Sequence, residues 1–290
     1  MKKYLVPVDG SPNSKKAMAT ASRMAAKTGG SITLLCVIDT ESVVMHSQVN
    51  VMMAEIMDKT KDAYDSMLDS LIEEYRSEKY ELRKEIRYGN VAGEILEESD
   101  KGYDMILIGS RGLSLLSRTF LGSVSNKVVH HTKIPILVVK EYHENDFSKI
   151  LVPIDGSTNS RRALYVASEI GEYFGSELTL INVVNKLQIP DVRGVDLDNV
   201  AGYYPKTREI SEMLLKDNAK RIDSYPHKVQ LVSKVGNVSE MIMDMAENED
   251  FDLIIIGNRG LGTIQRTVLG SISNAVLNHS KKSVLIIHGN

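Results

Sequence analysis

The feature that most constrains the fold is an internal repeat that runs through the whole chain. The stretch YLVPVDGSPNSKKAM from Tyr4 returns as ILVPIDGSTNSRRAL from Ile150. The stretch GSRGLSLLSRTFLGSVSN from Gly109 returns as GNRGLGTIQRTVLGSISN from Gly257, and RYGNVAGEIL and KVGNVSEMIM form a third pair. The intervals within the three pairs are nearly equal, so the two copies match from end to end. The repeat predicts two tandem domains of the same fold.

Length and composition agree with two globular domains. The chain has 290 residues, which allows two domains near the common size, and we place them at 1–142 and 147–290. The formal charge of -3 gives no general attraction to nucleic acid or to an anionic membrane. The one cysteine, Cys36, lies in the apolar run ITLLCVI and is interpreted as a buried strand thiol.

The chain opens with MKKYLVPVDG, which does not have the pattern of a secretory signal. It also has no apolar run near the ~20 residues that a membrane-spanning helix needs. We therefore expect a cytosolic protein with no membrane partner and no nucleic-acid partner.

Short β-branched runs alternate with longer helical patterns in each copy. In the first copy the predicted strands are 4–8, 31–37, 81–87, 104–109 and 136–139, and the predicted helices are 13–28, 55–77, 91–101 and 119–131. The runs MILIG and LIIIG are apolar at every position, which is typical of a parallel sheet covered on both faces. Each copy is therefore predicted to be a doubly wound α/β (Rossmann-like) domain with a five-stranded parallel sheet. Asn13 and Asn159 are predicted to cap the first helix of each copy.

A doubly wound sheet binds ligands at the carboxyl ends of the two strands where its winding reverses. With the strand order 3-2-1-4-5, these are the first and fourth strands. DGS from Asp9 and GSRG from Gly109 end them in the first copy, and DGS from Asp155 and GNRG from Gly257 end them in the second. The repeated polar residues thus converge on the expected site.

Glycines in the loop after the fourth strand allow its N–H groups to approach one anion. Gly109 and Gly112 lie in this loop, and Gly122, Ser123 and Ser125 mark the start of the last helix, where free N–H groups favour phosphate. The hydroxyls of both serines are expected to add donors. The second copy repeats the pattern at Gly257, Gly260, Gly270, Ser271 and Ser273.

Several roles stay open at this point. Asp9 and Asp155 suit ribose hydroxyls, a metal near the phosphates or a turn cap, while Arg111 and Arg259 can touch phosphate or point to solvent. The chain contains neither G-x-x-x-x-G-K-[ST] nor G-x-G-x-x-G after the first strand, which excludes a P-loop and the dinucleotide fingerprint. His130-His131 is expected to end a helix rather than bind metal, and the Met-rich stretch 43–57 is expected to pack as a helix rather than form a lid.

The pattern G-x2-G-x9-G-[ST], found at Gly109 and again at Gly257, resembles the ATP-binding signature of the universal stress protein family. The V-D-G-S and I-D-G-S strand ends also match, and the resemblance covers both halves. It implies an ATP, ADP or AMP site in each domain, with Asp9 and Asp155 at the ribose, and backbone at Val37 and Val183 at the adenine. Bound Mg²⁺ is expected as an accessory that assists slow hydrolysis. The implied nucleotide-binding residues are Asp9, Val37, Gly109, Arg111, Gly112, Gly122, Ser123, Val124 and Ser125, with Asp155, Val183, Gly257, Arg259, Gly260, Gly270, Ser271, Ile272 and Ser273.

The resemblance also implies pairing through the last strands, here 136–139 with 283–287 inside one chain, and it leaves room for a homodimer. The leading hypothesis is a regulatory adenine-nucleotide-binding protein that acts on an unknown protein partner. A slow ATPase is the enzymatic alternative, although no histidine, glutamate or lysine is tied to the glycine motif in both copies. The third alternative is a dimerisation or scaffold module with vestigial nucleotide sites. No catalytic residue and no metal ligand is predicted.

Overall fold

The computed structural model describes residues 1–40, 50–112, 121–140, 147–185, 203–260 and 269–288, with the backbone alone at 50–56 and 203–205. The chain divides into two compact units, Met1–Glu144 and Asn145–Gly289, called here the N-terminal unit and the C-terminal unit. Most of the Met-rich stretch 43–57 lies outside the residues whose side chains are described.

Strands and helices alternate along the N-terminal unit. Its elements are β1 (Lys3–Pro7), α1 (Pro12–Thr28), β2 (Ser31–Asp39), α2 (Asn50–Glu74), β3 (Glu81–Gly89), α3 (Val91–Ser99), β4 (Met105–Gly109), α4 (Ser123–His131) and β5 (Ile136–Val139).

The C-terminal unit repeats this order. Its elements are β6 (Lys149–Pro153), α5 (Thr158–Phe174), β7 (Glu177–Asn185), α6 (Tyr203–Ala219), a 3₁₀ turn (Lys220–Ile222), β8 (Val229–Gly236), α7 (Val238–Asn248), β9 (Leu253–Gly257), α8 (Ser271–His279) and β10 (Ser283–Ile287).

The strands of each unit form a parallel sheet. In the N-terminal unit β1 lies between β2 and β4, β3 pairs with the other edge of β2, and β5 pairs with the other edge of β4. The strand order is therefore β3-β2-β1-β4-β5. The C-terminal unit has the corresponding order β8-β7-β6-β9-β10. The predicted fold class, two tandem doubly wound α/β domains, is confirmed.

The centre of each sheet forms the core. Every residue of β4 and of β9 is buried, as their uninterrupted apolar sequences predict. Helix α1 packs small residues such as Ala17 and Ala21, both fully buried, over the N-terminal sheet, so its backbone comes close to the strands. None of the helices in the described part of the chain is long and apolar enough to cross a membrane.

The first helix of each unit is capped by a different residue from the one predicted. The Ser14 amide donates to Oγ of Ser11 at 3.2 Å, and the Ser160 amide donates to Oγ of Ser157 at 3.1 Å. The prediction that Asn13 and its equivalent cap these helices was wrong. The reason is the preceding glycine, which has φ of 80° at Gly10 and turns the chain early enough for the serine to precede the helix.

The start of α4 also differs from the prediction of 119–131, of which 119–120 lie outside the described residues. The helix begins at Ser123 because Gly122 has extended backbone, with φ of -61° and ψ of 152°, and is its N-cap residue. Gly270 has the same role in α8.

We expect the replacement Ser11→Ala to lower the free energy of unfolding of the N-terminal unit by about 1 kcal/mol, because an N-cap acceptor is lost. Asn13→Ala should change it by less than about 0.5 kcal/mol, as expected for a substitution away from a cap. Urea denaturation of the full chain measures both, and a larger loss for Asn13→Ala would contradict the assignment of Ser11 as the cap.

Candidate functional site

Each unit has a cleft at the carboxyl ends of the two strands where the winding reverses. The cleft of the N-terminal unit, at β1 and β4, has a volume of about 280 Å³, and that of the C-terminal unit, at β6 and β9, about 340 Å³. The structure brings all of the predicted site residues to these clefts: Asp9, Val37, Gly109, Arg111, Gly112, Gly122, Ser123, Val124 and Ser125 in one, and Asp155, Val183, Gly257, Arg259, Gly260, Gly270, Ser271, Ile272 and Ser273 in the other.

The carboxylate of Asp9 is held against the glycine loop. Its Oδ1 accepts a hydrogen bond from the Ser11 amide at 3.0 Å, which fixes the orientation of the side chain. A Cβ atom on Gly112 would lie 2.6 Å from the other oxygen, Oδ2, so the loop can approach the carboxylate because this residue is glycine. In the C-terminal unit the Ser157 amide donates to Oδ1 of Asp155 at 2.9 Å.

The last residue of β4 is a glycine because the first turn of α1 packs directly on it. A Cβ on Gly109 would lie 2.7 Å from the Asn13 carbonyl carbon and 2.9 Å from the Ser14 nitrogen. Both are backbone atoms, which cannot move aside without displacing the helix. The same contact recurs where a Cβ on Gly257 would lie 2.8 Å from the carbonyl carbon of Asn159.

The N-terminus of α4 forms the opposite wall of the cleft. The Gly122 amide donates to the Ser110 carbonyl at 2.9 Å, which joins the helix start to the glycine loop. No side chain caps the first turn of this helix, and Ser123, Val124 and Ser125 line the cleft. Because the first amides of a helix lack carbonyl partners within it, this wall suits an anion.

The two serines at this helix start have different roles. The buried Ser125 donates its hydroxyl to the Gly109 carbonyl at 2.8 Å, and the buried Ser273 donates to the Gly257 carbonyl at 2.7 Å. A serine hydroxyl has a single hydrogen to donate, so this arrangement differs from the expectation that these hydroxyls donate to a phosphate. They fasten the helix to the strand end, while Ser123 and Ser271 are exposed.

Positive charge gathers beside the glycine loop of the N-terminal unit. Arg111 lines the cleft and is half-buried, so it does not simply extend into solvent. Burial, with a further contribution from Arg111, lowers the pKa of the Lys140 ammonium to about 8. This lysine directly follows β5 and was not singled out from the sequence.

The thiol of Cys36 is buried, at 1% exposure, which confirms its interpretation as a core strand residue. Burial, with the nearby Asp9 carboxylate adding to it, raises the pKa of this thiol to about 12. The thiol therefore stays protonated and packs as an apolar group.

The histidines at the end of α4 lie where the sequence predicted. Nδ1 of His130 is 2.8 Å from the Asn126 carbonyl and Nδ1 of His131 is 2.8 Å from the Lys127 carbonyl, so both rings interact with the end of their own helix. Across the described residues, no group of three or more His, Cys, Asp or Glu could hold a metal ion.

Sequence reasoning missed several lining residues, most of them apolar, that lie with the predicted Val37 and Val183 in what is called here the apolar end of each cleft. In the N-terminal unit these residues include the apolar Leu35, Val91 and Ile95, together with Tyr64 and the carboxylate of Asp39. The equivalent end in the C-terminal unit includes Ile181, Asn182, Val238 and Ile242.

One signal for this end was present in the sequence, because Val91 and Val238 lie in the repeated pair RYGNVAGEIL and KVGNVSEMIM. In that pair Asn90 caps α3 by accepting from the Gly93 amide at 3.0 Å. The capped turn carries the valine to the cleft.

Comparison with known proteins agrees with the geometry. The sequence profile of the universal stress protein family matches residues 1–140 and 146–288, and the chain therefore belongs to the universal stress protein family. A universal stress protein of Mycolicibacterium smegmatis is 25% identical and aligns with 98% of this chain and 96% of its own length. One from Mycobacterium bovis is 26% identical over 72% of this chain and 69% of its own length. The crystal structure of a universal stress protein from Archaeoglobus fulgidus has the same fold, with a TM-score of 0.70, 24% identity and coverage of 99% of this chain and 98% of that one.

We expect Lys140→Met to raise the free energy of unfolding at pH 7 by about 1–3 kcal/mol, because the folded state no longer has to bury a charged ammonium. The gain should shrink as the pH rises from about 8 toward 10.5. In that window the unfolded chain binds more protons than the folded one, so the stability of the unsubstituted protein rises with pH.

Urea denaturation at a series of pH values measures this difference, with Lys127→Met on the exposed side of α4 as the matched control. A stability difference for Lys140→Met that does not change with pH would contradict the lowered pKa.

Proposed function

We propose that each unit binds one adenine nucleotide, ATP, ADP or AMP, in the cleft at its strand ends, and that the chain is a cytosolic regulatory protein rather than an enzyme. The observation that carries this proposal is found in both units: an uncapped helix N-terminus and a glycine loop meet beside an oriented carboxylate. The family membership agrees with it.

The phosphates are proposed to lie between the glycine loop and the helix N-terminus. Backbone amides at Gly112 and Ser123 suit phosphate oxygens because they act together with the helix dipole. Arg111 adds a cation at the same end of the N-terminal cleft. Asp9, with one oxygen already held by an amide, has its second oxygen available for the ribose hydroxyls.

The adenine is proposed to lie at the apolar end. In the N-terminal unit Val37 of β2 lines the cleft together with Leu35 and Ile95. In the C-terminal unit Val183 of β7 lines it together with Ile181 and Ile242. Apolar side chains with a few oriented polar groups are typical of small-molecule sites. The volumes of about 280 and 340 Å³ are close to the lower end of the range of roughly 300–1,000 Å³ for such sites.

Magnesium is proposed to enter with ATP. Mg²⁺ usually keeps several waters and binds through one or two carboxylates together with substrate phosphates. The carboxylates of Asp9 and Asp155 lie directly against the glycine loops. Hydrolysis would also need a group that positions the attacking water. The described lining consists of backbone, hydroxyl and apolar groups, with aspartate, arginine and, in the C-terminal cleft, Asn182. Such a lining suits binding better than turnover.

Three features implied by the resemblance stay predictions. They are pairing through 136–139 and 283–287, a homodimer, and an unknown protein partner. Nucleotide occupancy is proposed to act on such a partner by favouring one arrangement of the loops around the cleft.

The replacement Gly122→Glu should abolish nucleotide binding in the N-terminal unit, and Gly270→Glu should abolish it in the C-terminal unit. A Cβ at Gly122 has its nearest neighbour at 3.4 Å and φ is -61°, so the fold accommodates the start of a side chain. The carboxylate would then occupy the space between loop and helix and repel phosphate. Isothermal titration calorimetry of the nucleotide-stripped protein with ATP and Mg²⁺ should give about two sites in the unsubstituted chain and one in each variant.

Gly93→Glu is the matched control, because Gly93 is exposed on α3 and does not line the cleft. It should leave both sites intact. Absence of ATP, ADP and AMP binding by the unsubstituted protein would overturn the proposal in favour of a scaffold with vestigial sites. An assay for released phosphate on the same samples distinguishes a nucleotide-binding protein from an ATPase. Rapid phosphate release would show that the chain is an ATPase.

A further inference from the structure

The two clefts have the same floor but differ in one wall. Leu35 and Ile95 in the N-terminal cleft have Ile181 and Ile242 as their equivalents in the other. These exchanges keep size and polarity nearly constant.

Two lining residues of the N-terminal cleft lack a counterpart. Asp39 at the end of β2 lines it, while Asn185 at the end of β7 does not line the other cleft. The larger difference in apolar surface is Tyr64, which reaches the N-terminal cleft from α2, whereas no residue of α6 lines the C-terminal cleft among the residues described there.

The contacts of the two helices establish which residue replaces Tyr64, although their sequences have diverged. A Cβ on Gly10 would lie 3.0 Å from Sδ of Met67, and a Cβ on Gly156 would lie 3.3 Å from Cδ1 of Leu214. Met67 of α2 is therefore equivalent to Leu214 of α6.

The residues that follow agree with this register, because Leu68 and Leu215 are both buried, at 0% and 1% exposure. Three positions before Met67 and Leu214, Tyr64 is therefore equivalent to Ser211.

Ser211 has a structural role in the C-terminal unit. It is 2% exposed, and the Ser233 hydroxyl donates to its Oγ at 2.8 Å, which joins α6 to β8. The side chain of Ser211 is thus engaged in a hydrogen bond within the unit. The C-terminal cleft therefore has no aromatic residue at the position equivalent to Tyr64.

Tyr64 is placed differently, since it is half-buried and lines the cleft together with Val37 and Asp9. Burial, with smaller contributions from Cys36 and Asp9, raises the pKa of its phenol. The ring is therefore neutral at physiological pH and lies beside the positions proposed for the adenine and the ribose. A neutral aromatic ring with few rotatable bonds loses little conformational freedom when a flat ligand packs on it.

We propose that Tyr64 makes the N-terminal cleft the tighter of the two adenine-nucleotide sites by packing its ring against the bound nucleoside. This inference rests on the proposed function. Aromatic side chains that stack on a base strengthen binding by roughly 5- to 100-fold. The chain therefore holds one high-affinity and one low-affinity site, and the C-terminal site fills only at higher nucleotide concentration.

Asn182 is the residue of the C-terminal cleft that could offset the absence of a tyrosine. It lines the cleft at the position equivalent to the buried Cys36 of the N-terminal unit. Nδ2 of Asn182 donates to the Ile154 carbonyl at 2.6 Å, so part of its hydrogen-bonding capacity is used within the unit. Asn182 also offers no aromatic surface on which a flat ligand can pack.

The test measures the ATP dissociation constant in two backgrounds of the full chain, by calorimetry with Mg²⁺. In Gly270→Glu, where the N-terminal site remains, Tyr64→Ser should weaken ATP binding roughly 5- to 100-fold. Tyr64→Phe keeps the ring and should change binding by less than about 3-fold. Tyr64→Leu keeps the apolar volume in α2 and should weaken binding like Tyr64→Ser, which separates loss of the ring from loss of helix packing.

Two controls show that the effect belongs to one site. In Gly122→Glu, where the C-terminal site remains, Tyr64→Ser should leave the dissociation constant unchanged. Tyr173→Ser removes a tyrosine that is 40% exposed on α5 and lines neither cleft, and it should change neither site.

Equal ATP affinity of the two sites, or an unchanged N-terminal dissociation constant in Tyr64→Ser and Tyr64→Leu, would overturn this proposal and leave nucleotide binding itself standing. A loss in Tyr64→Phe as large as in Tyr64→Leu would overturn ring packing as its cause. Failure of the unsubstituted protein to bind any adenine nucleotide would instead overturn the proposed function, and this inference with it.

Discussion

The contact on which each unit depends is the packing of the first helix against the end of the fourth strand. A Cβ on Gly109 would lie 2.7 Å from the backbone of Asn13, a distance that no real side chain adopts. Ser125 then hydrogen-bonds the carbonyl of the same glycine at 2.8 Å. One glycine thus joins β4, the start of α1 and the start of α4, and the cleft is the space that this junction leaves between the strand ends.

A site built on such a junction relies mainly on the backbone. The amides of the glycine loop and of the α4 N-terminus are positioned by strand and helix geometry, and few side chains add to them. Asp9 is oriented by the Ser11 amide at 3.0 Å, and the serine that supplies this amide also caps α1. The same residues therefore stabilise the fold and arrange the site, so substitutions at these positions are expected to affect both. The repeat reflects this constraint, because DGS and the spaced glycines occur in both copies while α2 and α6 differ widely in sequence.

The two units differ in the side chains that surround the cleft. The helix that follows the second strand contributes Tyr64 to the N-terminal cleft. In the other unit it contributes the buried Ser211, which is hydrogen-bonded to Ser233 of β8. Cation placement differs as well, since Lys140 follows β5 while His288 occupies the position after β10. The two units thus have clefts with the same glycine loop and helix N-terminus but different surrounding side chains.

The sequence by itself determined the tandem organisation, the α/β class and the place in each unit where the repeated polar residues meet. These features rest on local and repeated patterns: wholly apolar strands such as MILIG, glycines at fixed spacing, and polar residues directly after the first and fourth strands. Every residue predicted for the site lines a cleft for this reason.

Tertiary structure alone decided how individual side chains are used. Asn13 and Ser11 are both good capping residues, and the turn at Gly10 selects the serine. Ser125 and Ser123 are both hydroxyl residues near the same helix start, and only the position of the Gly109 carbonyl buries one of them. Tyr64 reaches the cleft because α2 packs across β2, a contact between residues far apart in the chain. Such contacts depend on distances between separate elements, which the order of residues along each element does not contain.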